Sequence, residues 1–213
     1  MTPHHPVDSL SLSRRAASVA LIATPYLWLD SRAQAQAARP LTPAQSEGPF
    51  YPVKLPKDAD YDLLRNGQMN YSAGQAVWVQ GNVTDIDGKP VAGAQVEIWQ
   101  ADHAGHYDHP GDGSRADPAF QGFGRVVVGA DGSYRFRTIR PAPYTGRAPH
   151  IHFKVKLGAR ELLTTQLYVE GEPGNARDGL WRRMGEADRA AVTAAFKSGS
   201  DGLLVQFPIV VRA

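Results

Sequence analysis

Seven short stretches of the chain have the residue pattern of β-strands, most clearly where hydrophobic and polar residues alternate. Asp87-Gly88 and Asp131-Gly132 each stand between two such stretches, and an Asp-Gly pair there favours a tight turn. The predicted strands are residues 77–83, 94–99, 124–128, 134–139, 150–157, 162–169 and 203–211.

Only one stretch has the spacing of a helix. Residues 186–197 combine several alanines with Val192, Ala195 and Phe196 at helical intervals. Residues 38–74 are rich in proline and polar residues and show no sustained period, so we interpret them as an extended arm packed over a core. Many short strands and one late helix predict an all-β fold: a β-sandwich with one helix in the C-terminal region and an extended N-terminal arm.

The start of the chain has a different composition. Arg14-Arg15 precede a largely apolar, uncharged stretch at residues 16–29, and Ala35-Gln36-Ala37 follows. This order is typical of a signal peptide, and the paired arginines indicate the twin-arginine route. We therefore expect residues 1–37 to be a twin-arginine-type signal and the protein to be periplasmic or secreted. The alternative is a disordered or membrane-associated tail, although about fourteen apolar residues are too few for a stable membrane span.

Residues 38–213 are enough for one catalytic domain with a substantial core. The 213 residues include no cysteine, which excludes disulfides, thiolate metal ligands and a cysteine nucleophile. The formal net charge is +2 and the basic residues form no block, so nothing indicates a nucleic-acid partner. We expect a small-molecule partner and leave a homo-oligomer open. Any metal must be held by nitrogen and oxygen.

Two histidines open the predicted strand at residues 150–157. Because side chains alternate across a strand, the imidazoles of His150 and His152 point to one face, with attachment points about 7 Å apart. Such a pair can supply two of the ligands of a metal ion. The same pattern is also found where two exposed histidines bind no metal. Tyr144 stands in the proline-rich loop just upstream, and Tyr107 stands on the loop after an earlier strand. A tyrosine alone on a loop is usually a packing residue.

Taken together, these motifs resemble the intradiol ring-cleavage dioxygenases, most closely the protocatechuate 3,4-dioxygenase branch. The resemblance covers nearly all of the chain after the leader. The hairpin beginning at Gly81 is shared with non-enzymatic β-sandwich modules, whereas the tyrosine loops with Arg-x-x-His-x-His are highly specific. The other matching segments are Glu47-Gly48-Pro49-Phe50-Tyr51-Pro52, Ile98-Trp99-Gln100-Ala101-Asp102, Phe123-Gly124-Arg125, Arg147-Ala148-Pro149-His150-Ile151-His152-Phe153 and Thr165-Gln166-Leu167-Tyr168.

The resemblance implies an iron(III) cofactor, with Tyr107 and His150 as equatorial ligands and Tyr144 and His152 as axial ligands. It also implies that Tyr144 leaves the iron when substrate binds. The implied partners are a small aromatic diol and O2. The implied reaction opens the ring between its two hydroxyl-bearing carbons and gives a muconate-type dicarboxylate.

Two further positions match residues that act beside the iron in this family. Arg147 matches an arginine that faces the substrate ring, and Gln166 matches a polar residue near the metal. The loop between Tyr144 and Arg147 is much shorter than in protocatechuate enzymes and lacks their tryptophan. The resemblance therefore does not identify the substituent on the substrate ring. The chain also lacks the helical dimerisation segment of catechol 1,2-dioxygenases.

Other functions account for parts of the sequence. A non-catalytic β-sandwich binding module would explain the hairpin alone, and a zinc hydrolase would use only the histidine pair. Neither gives Tyr107 and Tyr144 a role. An iron(II) site with a carboxylate from Glu97 or Asp102 leaves one tyrosine without a role. A last hypothesis is a second metal site on the loop around Tyr107, built from His103, His106 and His109.

Overall fold

The computed structural model of the protein describes Met1 and residues 39–213. The predicted signal, residues 1–37, lies outside these described residues apart from Met1, so it stays a prediction. Within the described part of the chain, no helix is long and apolar enough to cross a membrane.

Twelve strands and two short α-helices make up the regular structure of the described residues. The strands are β1 (Arg65–Asn66), β2 (Met69–Asn70), β3 (Ala76–Thr84), β4 (Gln95–Trp99), β5 (Phe123–Val127), β6 (Ser133–Ile139), β7 (His150–Leu157), β8 (Arg160–Val169), β9 (Thr193–Ala194), β10 (Lys197–Gly199), β11 (Gly202–Gln206) and β12 (Ile209–Val210). The helices are α1 (Gly179–Arg183) and α2 (Glu186–Ala191), and short 3-10 turns occupy Pro110–Asp112 and Pro173–Arg177.

The strands form two five-stranded sheets and one small hairpin. The first sheet has the order β10-β11-β3-β12, with β6 also paired to β3, and the second has the order β5-β4-β7-β8-β9. Strands β1 and β2 form the hairpin. Strand β7 is antiparallel to both of its neighbours, β4 and β8, and therefore lies at the centre of the second sheet.

The two sheets bury alternate residues of their strands against each other. Val77 and Val79 of β3 share one core cluster with Ile98 of β4 and with Ile151 and Phe153 of β7, and all five are fully buried. Burying an aliphatic or aromatic side chain of this size contributes about 1.5–3 kcal/mol, so the alternating pattern stabilises the sandwich. Because successive side chains point to opposite faces, the histidines of β7 lie on the outer face of the second sheet.

The arm covers that outer face. The backbone N–H of Gln45 donates to the carbonyl oxygen of Thr164 at 2.8 Å. The side-chain amide of Gln166 donates to the carbonyl oxygen of Ser46 at 2.9 Å, and Gln45 Nε2 donates to Gln166 O at 3.1 Å. These bonds hold the arm to β8, and the predicted β-sandwich with its extended arm is confirmed.

Two elements near the C-terminus differ from the prediction. The predicted strand 203–211 is divided into β11 and β12 around Pro208, because proline has no N–H to donate to the sheet. The predicted helix 186–197 is shorter and ends at Ala191. Val192 is fully buried, and β9 begins directly after it and pairs in parallel with the end of β8, so sheet pairing replaces the helix. The short helix α1 was not predicted.

Candidate functional site

The two histidines of β7 face each other at the site. The side chains are almost fully buried, and their Nε2 atoms lie 3.1 Å apart. His150 Nδ1 lies 2.6 Å from the carbonyl oxygen of Ala148, which places the proton on Nδ1 and leaves the lone pair on Nε2. Burial, with the positive charge of Arg147, lowers the pKa of His150 to about 3. Burial and the neighbouring His150 lower the pKa of His152 as well, so both rings are neutral and able to bind a cation.

Stacking fixes the orientation of His152. Trp99 stands opposite His152 in the β4–β7 register, and the two rings stack with centroids 4.7 Å apart and planes within 9°. Gly48 of the arm covers the ring edge, and a Cβ atom at this position would lie 3.5 Å from His152 Cε1. His152 Nδ1 is buried without a hydrogen-bond partner, so packing holds this ring.

Two loops bring the tyrosines to the histidines. The ring of Tyr107 lies 6.0 Å from that of His152, and the ring of Tyr144 lies 5.6 Å from that of His150. The two tyrosine rings are 5.4 Å apart. The four rings therefore form one cluster, and the structure brings together the residues that the sequence motifs singled out.

The tyrosine loops are held by their own local bonds. Asp102 accepts hydrogen bonds from the backbone N–H groups of Ala104 and His106, both at 2.9 Å, which closes the loop before Tyr107. The N–H of Tyr107 donates to Asp112 Oδ2 at 2.8 Å. Asp102 therefore shapes the loop, which explains its position better than a role as a metal ligand.

Burial raises the pKa of both phenols, and their neighbours modify this increase in opposite directions. Burial raises the pKa of Tyr107 well above its ordinary value, and the neighbouring Tyr144 adds to this. Burial also raises the pKa of Tyr144, although Arg147 opposes the increase. A hard cation between the phenols would reverse this effect, because a bound metal ion strongly favours the deprotonated ligand.

Arg147 lies beside Tyr144 in a network of polar side chains. Its Nη1 donates to the hydroxyl oxygen of Tyr144 at 3.3 Å. Its Nη2 donates to Gln166 Oε1 at 2.5 Å and to the hydroxyl oxygen of Tyr168 at 3.1 Å. Its Nε donates to Asp178 Oδ2 at 2.8 Å. Gln166 thus lies next to Arg147, and the sequence motifs did not indicate a role for Asp178.

Nitrogen and oxygen are the donors available to a metal at this point. Among residues 39–213, no three His, Cys, Asp or Glu side chains come together as a metal site. A metal bound by His150 and His152 would therefore take its remaining protein ligands from Tyr107 and Tyr144. Two neutral imidazoles and two ionisable phenols suit iron, since imidazole and phenolate both bind it in proteins.

Glu97 and His109, which were also considered for a metal site, are engaged elsewhere. Glu97 is fully buried, accepts from the Tyr51 hydroxyl at 2.8 Å and pairs with Lys156 Nζ at 3.0 Å. His109 accepts from the N–H of Gly111, and His106 Nδ1 lies 3.6 Å from Asp112. The geometry of the described residues therefore supports neither a carboxylate-bearing site nor a second histidine site.

Two cavities adjoin the tyrosines. One of about 370 Å³ is lined by Phe50, Trp99 and Tyr107, and another of about 600 Å³ is lined by Phe50, His106 and Tyr144. The Phe50 ring stacks on Tyr107 at 4.6 Å and meets Tyr144 edge-on at 5.8 Å. The space beside the phenols is therefore suited to a small aromatic molecule.

Known proteins resemble this chain over most of its length. A sequence model of a family described as dioxygenase matches residues 46–212. The chain is 36% identical over 196 residues to the protocatechuate 3,4-dioxygenase beta chain of Burkholderia cepacia, covering 82% of this chain and 83% of that protein. It is 36% identical over 165 residues to catechol 1,2-dioxygenase 1 of Acinetobacter lwoffii, covering 68% of this chain. The chain spans only 51% of the length of that second relative.

Two solved structures of dioxygenases also resemble this chain. The dioxygenase domain of a dioxygenase carbohydrate-binding protein fusion from Streptomyces sp. SirexAA-E aligns with a TM-score of 0.66 and 34% identity, covering 82% of this chain and 99% of that one. Catechol 1,2-dioxygenase from Acinetobacter sp. ADP1 aligns with a TM-score of 0.63 and 27% identity. Since the family match includes both tyrosine loops and the histidine strand, the chain belongs to the intradiol ring-cleavage dioxygenases, a family of oxidoreductases.

Proposed function

We propose that the protein is a non-haem iron(III) dioxygenase that opens a catechol ring between its two hydroxyl-bearing carbons, giving a muconate-type dicarboxylate. The observation that carries this proposal is the convergence of two tyrosine rings on a buried pair of neutral histidines, next to an arginine. Membership of the intradiol family supports the same reaction.

Tyr107, Tyr144, His150 and His152 would hold the iron. Bound iron(III) would supply a Lewis acid that favours the phenolate form of its ligands and activates a catechol toward O2. The chain contributes rigid, water-poor surroundings, because Tyr107 and both histidines are almost fully buried. Trp99 and the arm keep the His152 ring in one orientation.

The two tyrosines would have different roles because their exposure differs. Tyr107 is only 3% exposed and packs under Phe50, so it would stay in place. Tyr144 is half-buried on a loop and borders a cavity, so its side chain has room to move. When substrate binds, Tyr144 would swing away and its phenolate oxygen would accept a proton from the catechol.

Arg147 would stabilise negative charge. Its Nη1 lies 3.3 Å from the Tyr144 oxygen, close to where the substrate oxygens would bind. Fixed positive groups at a position where charge develops commonly supply a large part of catalysis. Gln166 would assist by holding the second amino group of the guanidinium through its 2.5 Å bond.

We propose a small aromatic diol of the protocatechuate type as substrate, together with O2. The named relatives act on protocatechuate, hydroxyquinol and catechol, and the chain covers most of the protocatechuate relative. The loop between Tyr144 and Arg147 is shorter than in protocatechuate enzymes and lacks their tryptophan, so the substituent on the substrate ring is left to experiment. We also propose that residues 1–37 direct the catalytic domain, residues 38–213, to the periplasm or outside the cell.

Oxygen uptake by the purified protein tests this function. The protein is loaded with iron and supplied with catechol, protocatechuate and hydroxyquinol, and the products are identified by mass spectrometry. We expect one O2 consumed per ring and a ring-opened dicarboxylate carrying both oxygen atoms from labelled O2. Iron-loaded protein that is colourless and consumes no O2 with any of the three would rule the proposal out.

A further inference from the structure

Asp178 is a buried carboxylate between the 3-10 turn Pro173–Arg177 and helix α1. Its side chain is fully buried. Oδ1 accepts hydrogen bonds from the backbone N–H groups of Leu180 at 2.8 Å and Trp181 at 3.2 Å. Aspartate is favoured at the start of a helix because it satisfies these otherwise unpaired N–H groups. One oxygen of Asp178 therefore caps α1.

The other carboxylate oxygen contacts the candidate site. Asp178 Oδ2 accepts from Arg147 Nε at 2.8 Å and from the backbone N–H of Ala148 at 2.9 Å. These two bonds fix both the arginine side chain and the backbone that follows it. With Nε bound, the Nη groups of the guanidinium are directed at Tyr144 and Gln166.

Arg147 depends on such a partner for a defined position. An arginine side chain has several rotatable bonds, and their freedom is lost when the guanidinium is held in one orientation. The Arg147 side chain is only 14% exposed, so its charge is largely removed from water and needs a nearby anion. Asp178 is the carboxylate that pairs with it in the described structure.

We propose that Asp178 is a positioning residue for ring cleavage, because its carboxylate holds the Arg147 guanidinium against Tyr144 and the substrate site. The inference rests on the proposed function, in which Arg147 acts on the bound catechol. Asp178 acts through Arg147 in this arrangement. Its effect on the reaction should therefore disappear when Arg147 is absent.

The two roles of Asp178 are separable by substitution. Serine is a good helix N-cap, so Asp178→Ser retains an acceptor for Leu180 and Trp181 while removing the carboxylate that Arg147 binds. Asp178→Asn keeps the size of the side chain but not its charge. Glu172→Gln is the matched control, since Glu172 caps the preceding turn through Gly174 at 3.2 Å and its ion-pair partner is Arg140, at 3.7 Å.

A double-mutant cycle tests the assignment in the iron-loaded enzyme. Oxygen uptake gives kcat and KM for wild type, Asp178→Ser, Arg147→Ala and the double variant. We expect Asp178→Ser and Asp178→Asn to lower kcat roughly 10- to 100-fold, as small displacements of a catalytic group do, with KM changed less than about threefold. In the Arg147→Ala background, Asp178→Ser should change kcat by less than about twofold.

Urea unfolding of the same four proteins gives a second measurement that does not depend on turnover. The losses in unfolding free energy should be non-additive, because the two side chains contact each other. Glu172→Gln should keep kcat within about twofold of wild type, since it leaves Arg147 untouched.

The outcomes separate this assignment from the proposed function. If wild type opens catechols but the losses in kcat from Asp178→Ser and Arg147→Ala multiply, Asp178 does not act through Arg147 and the assignment is wrong. A wild-type enzyme that opens no catechol would overturn the proposed function and this assignment together.

Discussion

At the scale of single residues, Tyr107 and Tyr144 are the same side chain in different surroundings. Tyr107 is almost fully buried under Phe50, whereas Tyr144 is half-buried and hydrogen-bonded to Arg147. We expect Tyr144→Phe to retain iron and part of the visible colour while lowering kcat by about 100-fold or more, because it removes the proton acceptor. Metal analysis and absorption spectra with and without anaerobic catechol are the measurements.

Tyr107→Phe is the comparison for that experiment. It should perturb the spectrum of the iron both without and with catechol, because Tyr107 is proposed to remain bound throughout. Vibrational spectra excited in the tyrosinate band identify which phenolate remains in each variant. A Tyr144 signal that persists unchanged in the anaerobic catechol complex would contradict the proposed displacement.

Substitutions of Arg147 and His152 distinguish a residue that stabilises charge from a residue that binds the metal. We expect Arg147→Ala to retain iron and colour and to lose about 100- to 1000-fold in kcat, as removal of a fixed charge-stabilising donor does. His152→Ala should lose iron, because its Nε2 is one of the two imidazole nitrogens that lie together at the site. Iron content per folded chain is measured alongside kcat. An iron-free but folded Arg147→Ala protein would show that Arg147 has been assigned the wrong role.

At the scale of elements, the two tyrosine loops touch at Gly105. Its φ of +84° lies in the left-handed region, and a Cβ atom there would come within 2.6 Å of the carbonyl oxygen of Pro143, next to Tyr144. We expect Gly105→Ala to push the loops apart and to lower both iron content and kcat. Gly158→Ala is the matched control.

Gly158, in the β7–β8 turn, also has a positive φ, +59°, but a Cβ atom added there would have no other atom within 4 Å. Both variants should lose about 1–2 kcal/mol of stability from left-handed strain. Only Gly105→Ala should also lose iron. Equal iron content in the two variants at equal stability would mean that contact between the loops does not shape the site.

At the scale of the whole molecule, the proposed leader, residues 1–37, should have no effect on the activity of the enzyme. Arg14 and Arg15 precede the proposed catalytic domain, residues 38–213, and the twin-arginine route recognises the arginine pair itself. We expect the double variant Arg14→Lys, Arg15→Lys to accumulate in the cytoplasm with unchanged specific activity. Cell fractionation followed by oxygen uptake measures both. Normal export of the double variant would refute the twin-arginine assignment.

The alternating pattern of the sequence determined which face of each strand is buried, because backbone geometry alone places successive side chains on opposite sides. It thereby placed His150 and His152 together, and the family motifs added Tyr107, Tyr144, Arg147 and Gln166. The end of α2 was less predictable, since pairing of Thr193 with β8 outweighed helical spacing.

Only the tertiary structure decided how distant segments meet around these residues. The stacking of Trp99 on His152 follows from the register of β4 against β7, and the cover from Gly48 follows from the path of the arm. The bond between Asp178 and Arg147 joins two loops that no local pattern relates. The physical reason is that sequence periodicity fixes the direction of a side chain on its own element, whereas its partners depend on which remote segments pack against that element.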